Sequence, residues 1–175
     1  LIGGSAGSIS VLIDIVQNLN SSIDFPVLIV VHRRADAEST LEELLATHSR
    51  LPVMEVYDKI AMKQGFIYLA AAEYHVLFEN KEEIALDYSE KVNYSLPSID
   101  VTFQSAASIF VKHTTALLIS GANSDGLEGM RYIHRKGGQV LIQEPATADF
   151  SFMPQHVFTH LRAVGIFLPN EMTAY

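Results

Sequence analysis

The chain has 175 residues, 49 % hydrophobic and 18 % charged, with a formal net charge of −8 and no cysteine. These values fit one globular domain with a sizeable core; the missing cysteine excludes disulfides, thiolate metal sites and a cysteine nucleophile, and fits a reducing cytoplasm. An acidic chain whose basic pair nearest a candidate site is Arg33-Arg34 is not expected to bind nucleic acid, and no apolar run reaches the roughly 18 residues of a membrane span.

Leu1-Ile2 is expected to close a strand begun upstream, and Ile9, Leu12, Ile13, Val16 and Leu19 then recur at helical spacing. Pro26 precedes a continuous apolar run, Val27–Val31, of the kind buried on both faces of a sheet. Leu41, Leu44 and Leu45 mark a second helix, with Asp36 among its N-terminal residues. Strands are predicted over 53–57, 66–70, 74–78 and 84–88, the last two joined by a hairpin turn at Glu79-Asn80-Lys81-Glu82. Pro97-Ser98 opens a helix carrying Ile99, Phe103, Ala106, Ala107 and Phe110. A strand over 116–119 runs into the polar loop Ser120-Gly121-Ala122-Asn123-Ser124-Asp125-Gly126, and a helix from Leu127 to Arg135 stops at Gly137-Gly138. Strands over 140–143 and 164–167 flank a short helix over 154–160. This rhythm predicts an α/β, doubly wound, mostly parallel sheet with helices on both faces and an antiparallel hairpin at the edge. No repeat, low-complexity stretch or internal linker interrupts it.

Ligands of doubly wound sheets bind beyond the carboxyl ends of the strands, and three polar features are predicted there. Gly3-Gly4-Ser5-Ala6-Gly7 fits G-x-S-x-G between a strand and a helix; small neighbours allow a sharp turn that exposes the serine hydroxyl. The same turn could instead hold a phosphate, although Ser5 stands where a dinucleotide fingerprint has its second glycine. Taken alone, the motif leaves both readings open. A serine needs a base, and His32, directly after the 27–31 strand, is the best placed of the histidines. Asp125 could orient that base or cap the helix that follows it. His156 and His160 stand four apart, but the glutamate of H-E-x-x-H and a third ligand are missing, so a surface or packing role is expected and no metal site.

Five segments carry a further signal: Ile2-Gly3-Gly4-Ser5-Ala6-Gly7; Val30-Val31-His32; Gly65-Phe66-Ile67-Tyr68-Leu69-Ala70 with Tyr74-His75-Val76-Leu77; Pro97-Ser98-Ile99-Asp100-Val101-Thr102-Phe103-Gln104-Ser105-Ala106-Ala107; and the loop 120–126. Together they resemble the catalytic domain of the chemotaxis-receptor methylesterases, the CheB family, along nearly the whole chain. The order serine, histidine, aspartate also agrees with that family and differs from ordinary α/β-hydrolases.

The resemblance implies hydrolysis of glutamate γ-methyl esters on the cytoplasmic helices of chemoreceptors, releasing methanol, with deamidation of receptor glutamines in some members. It implies Ser5 as nucleophile, His32 as base, Asp125 as its orienter and the backbone N–H groups of Ala6 and Ala122 as oxyanion donors, without a cofactor. Residues 1–175 are expected to be one catalytic domain acting in the cytoplasm. Its implied partners are methylated receptor helices and a receiver or methyltransferase domain outside this chain. Three places depart from the family pattern. Gly121-Ala122-Asn123 stands where Gly-Met-Gly is usual, Arg33-Arg34 where Met-Pro is usual, and Leu96 where an arginine is common. The departures motivate an alternative, a catalytically weak binding or signalling domain on the same fold. A nucleotide-binding domain using the 3–7 turn is a third.

Overall fold

Val-Leu-Ile-Val-Val at residues 27–31 offers no polar position to solvent, and all five are buried. Side chains of a strand alternate between faces. Accordingly Leu28 and Val30 join one apolar core, and Val27, Ile29 and Val31 a second. The computed structural model describes residues 1–33, 41–162 and 164–169; Asp36, expected at the start of the second helix, and Arg34 lie outside them.

In chain order the elements are β1 (Ile2–Gly4), α1 (Ile9–Asn18), β2 (Val27–Val31), α2 (Leu41–His48), β3 (Val53–Glu55), β4 (Ile60–Ala61), β5 (Ile67–Leu69), β6 (His75–Phe78), β7 (Glu83–Asp87), α3 (Ile99–Phe110), β8 (Thr115–Leu118), α4 (Leu127–Arg135), β9 (Gln139–Gln143), α5 (Phe152–His160) and β10 (Gly165–Phe167). Seven strands form one sheet in the order β10-β9-β8-β1-β2-β5-β3, and every pairing in it is parallel.

Helices cover both faces. On one side α1 places Val11, Leu12, Ile15 and Val16, and α2 places Leu45, against Ile29, Ile67 and Ile119. On the other, Ile99, Phe103, Ala106 and Ala107 of α3, Met130 and Ile133 of α4, and Met153 and Val157 of α5 meet Val30, Tyr68, Leu118 and Ile142. Pro154, at the third position of α5, lies in the first turn, where its missing N–H leaves no helical bond unmade.

The predicted hairpin, β6 and β7, is present, with His75 opposite Asp87 and Phe78 opposite Ile84. It does not extend the edge of the main sheet: β7 pairs on its other side with β4, and the three strands make a separate antiparallel sheet. A two-residue strand such as β4 is too short for alternation to reveal in sequence.

β1 and β8 are neighbours, yet the chain leaves β1 for α1 on one face and β8 for α4 on the other. Such a divergence is where doubly wound sheets usually bind a ligand, beyond the carboxyl ends of the strands.

Candidate active site

Ser5 is the first residue after β1, His32 the first after β2, and Asp125 lies in the loop between β8 and α4. The ladder continues into the site, Ser5 N–H donating to the Ser120 carbonyl (2.9 Å) and His32 N–H to that of Gly4 (3.3 Å). Gly7 turns the chain at φ +72° so tightly that an added Cβ would lie 2.6 Å from Cβ of Asp149. The turn rests on buried Ser120, whose hydroxyl donates to the Ala6 carbonyl (2.8 Å) and accepts from Phe150 N–H (3.0 Å).

The three side chains meet. His32 Nδ1 lies 3.2 Å from Ser5 Oγ, and Nε2 lies 2.7 Å from Asp125 Oδ2. An ionised carboxylate only accepts, so Nε2 carries the proton and Nδ1 presents a lone pair to the serine. The two ring nitrogens therefore hold the opposite roles to those of the trypsin-type triad. The His32 side chain is 12 % exposed and that of Asp125 fully enclosed.

Asp125 does not cap its own helix: α4 is entered through Gly126 at φ +100° with no side-chain cap. Its carboxylate instead receives the backbone N–H groups of Ile99 (2.7 Å) and Asp100 (3.1 Å) and the Ser98 hydroxyl (2.9 Å), at the start of α3. Two of the N–H groups a helix leaves unpaired are thereby satisfied. Burial raises the affinity of Asp125 for a proton, but the donors from His32, Ile99 and Asp100 outweigh it and hold the group below the ordinary carboxylate range.

Asp100 returns the arrangement. From the first turn of α3, its carboxyl accepts Gly129 N–H (2.7 Å), the third residue of α4. Each of the two helices is thus capped by a carboxyl group from outside it. Burial, together with the nearby Asp125, pushes Asp100 up to about 7 against the pull of the Gly129 and Gly126 amides. The Asn93 amide bridges the two carboxyls, 2.9 Å from Asp100 Oδ2 and 3.4 Å from Asp125 Oδ1.

Asn93 and Tyr94 both have positive φ, 50° and 62°, in a tight turn closed by Val92 and Ser95. This turn aims Asn93 inward and leaves Tyr94 96 % exposed beside the site. Buried His75 ties the segment to α3: its Nδ1 accepts Ser98 N–H (3.1 Å) and its Nε2–H donates to the Glu90 carbonyl (3.0 Å).

The other predicted residues fall as follows. Among the described residues, neither Ala6 N–H nor Ala122 N–H donates to a protein acceptor, whereas Gly121 N–H is bound to the Phe150 carbonyl (3.0 Å). Arg33 reaches Glu55 on β3 and the Ala70 carbonyl (3.2 Å). His160 donates to the His156 carbonyl (2.8 Å), their rings 4.3 Å apart on α5. No group of three or more potential metal ligands occurs among the described residues, and no helix there is long and apolar enough to cross a membrane.

Asn93, Ser95, Ser98, Asp100 and Asn123 also contact the three residues or one another, and sequence reasoning did not place them in the site. For Asp100 a signal existed. It stands three before Phe103 and seven before Ala107 on the apolar stripe of α3, where a carboxyl needs a reason to be buried.

Fold and site together define a hydrolase of α/β architecture. The family model for CheB methylesterase matches residues 1–175, and the chain belongs to that family. Its structure superposes on that of the CheB methylesterase catalytic domain of Thermotoga maritima with a TM-score of 0.94 at 28 % identity, covering 99 % of this chain and 93 % of the other. A protein-glutamate methylesterase/protein-glutamine glutaminase of Rhodopseudomonas palustris is 35 % identical over 88 % of this chain and 40 % of its own length. A relative from Leptospira interrogans, bearing the same double name provisionally, is 33 % identical over 89 % of this chain and 80 % of its own length.

Proposed function

We propose that this chain hydrolyses glutamate γ-methyl esters on the cytoplasmic helices of chemoreceptors, and deamidates glutamines there, with Ser5 as nucleophile, His32 as base and Asp125 as its orienter. The observation that carries this reading is the unbroken series from Ser5 Oγ through His32 to buried Asp125, with steps of 3.2 and 2.7 Å. Ser5 Oγ forms a bond to the ester carbonyl carbon as its proton passes to His32 Nδ1. The imidazolium, stabilised by Asp125, then protonates the departing methoxide, and methanol leaves. Water repeats the sequence on the acyl-enzyme and regenerates Ser5. Ala6 N–H and Ala122 N–H hold the oxyanion, a contribution of about 3 kcal/mol per donor in measured cases. On a chain of net charge −8, a neutral ester is approached more readily than the carboxylate it becomes, which favours product release. The family and the relatives named above support the substrate class, and the cytoplasm is where such helices lie.

Methanol release from a methylated receptor fragment tests the reading: wild type should turn over, and Ser5→Ala should not. A second reading, a binding or signalling module on the same fold, draws on the crowding of His32 Nδ1 by Asn123 and Ser95. Folded wild-type protein that a fluorophosphonate leaves unlabelled at Ser5 would establish it and remove the first.

A further inference from the structure

Three potential donors surround His32 Nδ1: Asn123 Nδ2 at 3.1 Å, Ser5 Oγ at 3.2 Å and Ser95 Oγ at 3.4 Å. A pyridine-type nitrogen has one in-plane lone pair and accepts one well-aligned hydrogen bond. The three donors therefore compete.

They are not equally prepared. Asn123 Oδ1 accepts Asp125 N–H at 3.1 Å, which fixes the amide so that its NH2 faces the ring. The second amide hydrogen reaches Ser95 Oγ at 3.4 Å. The Ser95 hydroxyl has another acceptor in the Asn93 carbonyl, also at 3.4 Å, and the Ser5 hydroxyl rotates freely about its Cβ–Oγ bond. Asn123 alone is held in a donating pose by a backbone contact of its own. It occupies the third position of the loop segment Gly121-Ala122-Asn123, where a glycine would present no side chain.

Resting on the hydrolase reading above, we propose that Asn123 is a positioning residue that occupies the lone pair of His32 Nδ1 in the empty site and yields it when a substrate draws the amide away. The group that draws it is a hydrogen-bond acceptor beside the reacting carbon, such as the carbonyl oxygen of an ester or carboxamide. Until then Asn123 competes with Ser5 for its base, which slows acylation of the free protein by small electrophiles about two- to tenfold. When the amide leaves, Nδ1 becomes available to Ser5 Oγ without movement of β1 or β2.

The test uses the whole chain. In protein with 15N-labelled histidine, Nδ1 of His32 should keep a hydrogen-bonded chemical shift in Ser5→Ala, where Asn123 still donates, and lose it when Asn123→Ala is added to Ser5→Ala. A shift already lost in Ser5→Ala alone overturns the proposal. Labelling of Ser5 by a fluorophosphonate supplies an independent readout. Asn123→Ala should label about two- to tenfold faster, the size of one net neutral hydrogen bond. Asn123→Asp keeps the oxygen that receives Asp125 N–H but turns an acceptor toward the ring, and it should label more slowly than wild type, with the acid limb of its rate profile moved to higher pH. If both variants label more slowly with unshifted profiles, Asn123 only anchors the loop and the proposal fails. If wild type does not label at all, the hydrolase reading fails instead, and the nitrogen shifts still decide the Asn123 contact; an Asn123→Ala chain that does not fold leaves the Ser5→Ala spectrum and the Asn123→Asp profile to decide it.

Discussion

Replacing Asp125 with asparagine changes one oxygen into an NH2 at constant shape, and both possible orientations cost the fold a backbone contact. With the NH2 at the Oδ2 position, Ile99 N–H, now 2.7 Å from an acceptor, faces a donor; at the Oδ1 position, Asp100 N–H does. A buried donor without an acceptor costs about 1–3 kcal/mol. Removing the charge from the amino end of α3 adds about 0.5–1 kcal/mol through the helix dipole. Urea unfolding of Asp125→Asn at pH 7 should therefore give a stability about 1.5–4 kcal/mol below wild type. With the NH2 at Oδ2, the imidazole moves its proton to Nδ1 and can no longer accept from Ser5, a change of tautomer that costs about 10⁴-fold in a comparable triad. Methanol release should fall by about that factor. An asparagine variant unfolding within about 0.5 kcal/mol of wild type would refute the capping role, and one keeping more than about a tenth of wild-type turnover would refute the orienting role.

Two other outcomes follow from the same groups. Asp100, at about 7 in the folded protein, holds a proton between about pH 4 and 7 that the unfolded chain, with a carboxyl near 3.9, has released; stability should fall as pH rises across that window, with the full penalty above it. Asp125, held below the ordinary range, acts in the opposite sense and only in more acid solution. Asp100→Asn cannot ionise, so its stability relative to wild type, read from urea midpoints, should improve between pH 5 and pH 8; a constant difference would contradict this. Methyl ester hydrolysis should decline in acid as the imidazole of His32 takes up a proton and loses its lone pair. His32→Gln should remain folded by circular dichroism and lose on the order of 10⁴-fold or more in turnover, and a rate flat through the imidazole titration would contradict the assignment.

Much of the scaffold was legible because its periods are simple. The apolar run 27–31, the helical spacing from Ile9 to Leu19 and the stop at Gly137-Gly138 follow local rules of burial and backbone freedom, and the structure has them at those places. The meeting of Ser5, His32 and Asp125 could be expected because each was predicted to follow the carboxyl end of a strand. What the sequence concealed was non-local. The separate small sheet depends on two residues, Ile60 and Ala61, finding β7. Asp125 looked like a cap for the helix after it, since sequence displays the nearest unpaired N–H groups and hides those of α3, 25 residues earlier in the chain. Asn123 and Ser95 carry no periodic signal, and their bearing on His32 arises only when two loops 28 residues apart close on one ring.

The crossed carboxyl caps of α3 and α4 make the hydrolytic centre part of the frame. A change at Asp125 or Asp100 loosens the contact between two helices as well as the chemistry, so inactivity and poor yield should arrive together there. Ser5 differs, because among the described residues no backbone group depends on its side chain. An intact but inert protein, able to grip its target without consuming it, is best made at that residue, where the machinery can be disarmed and the walls left standing.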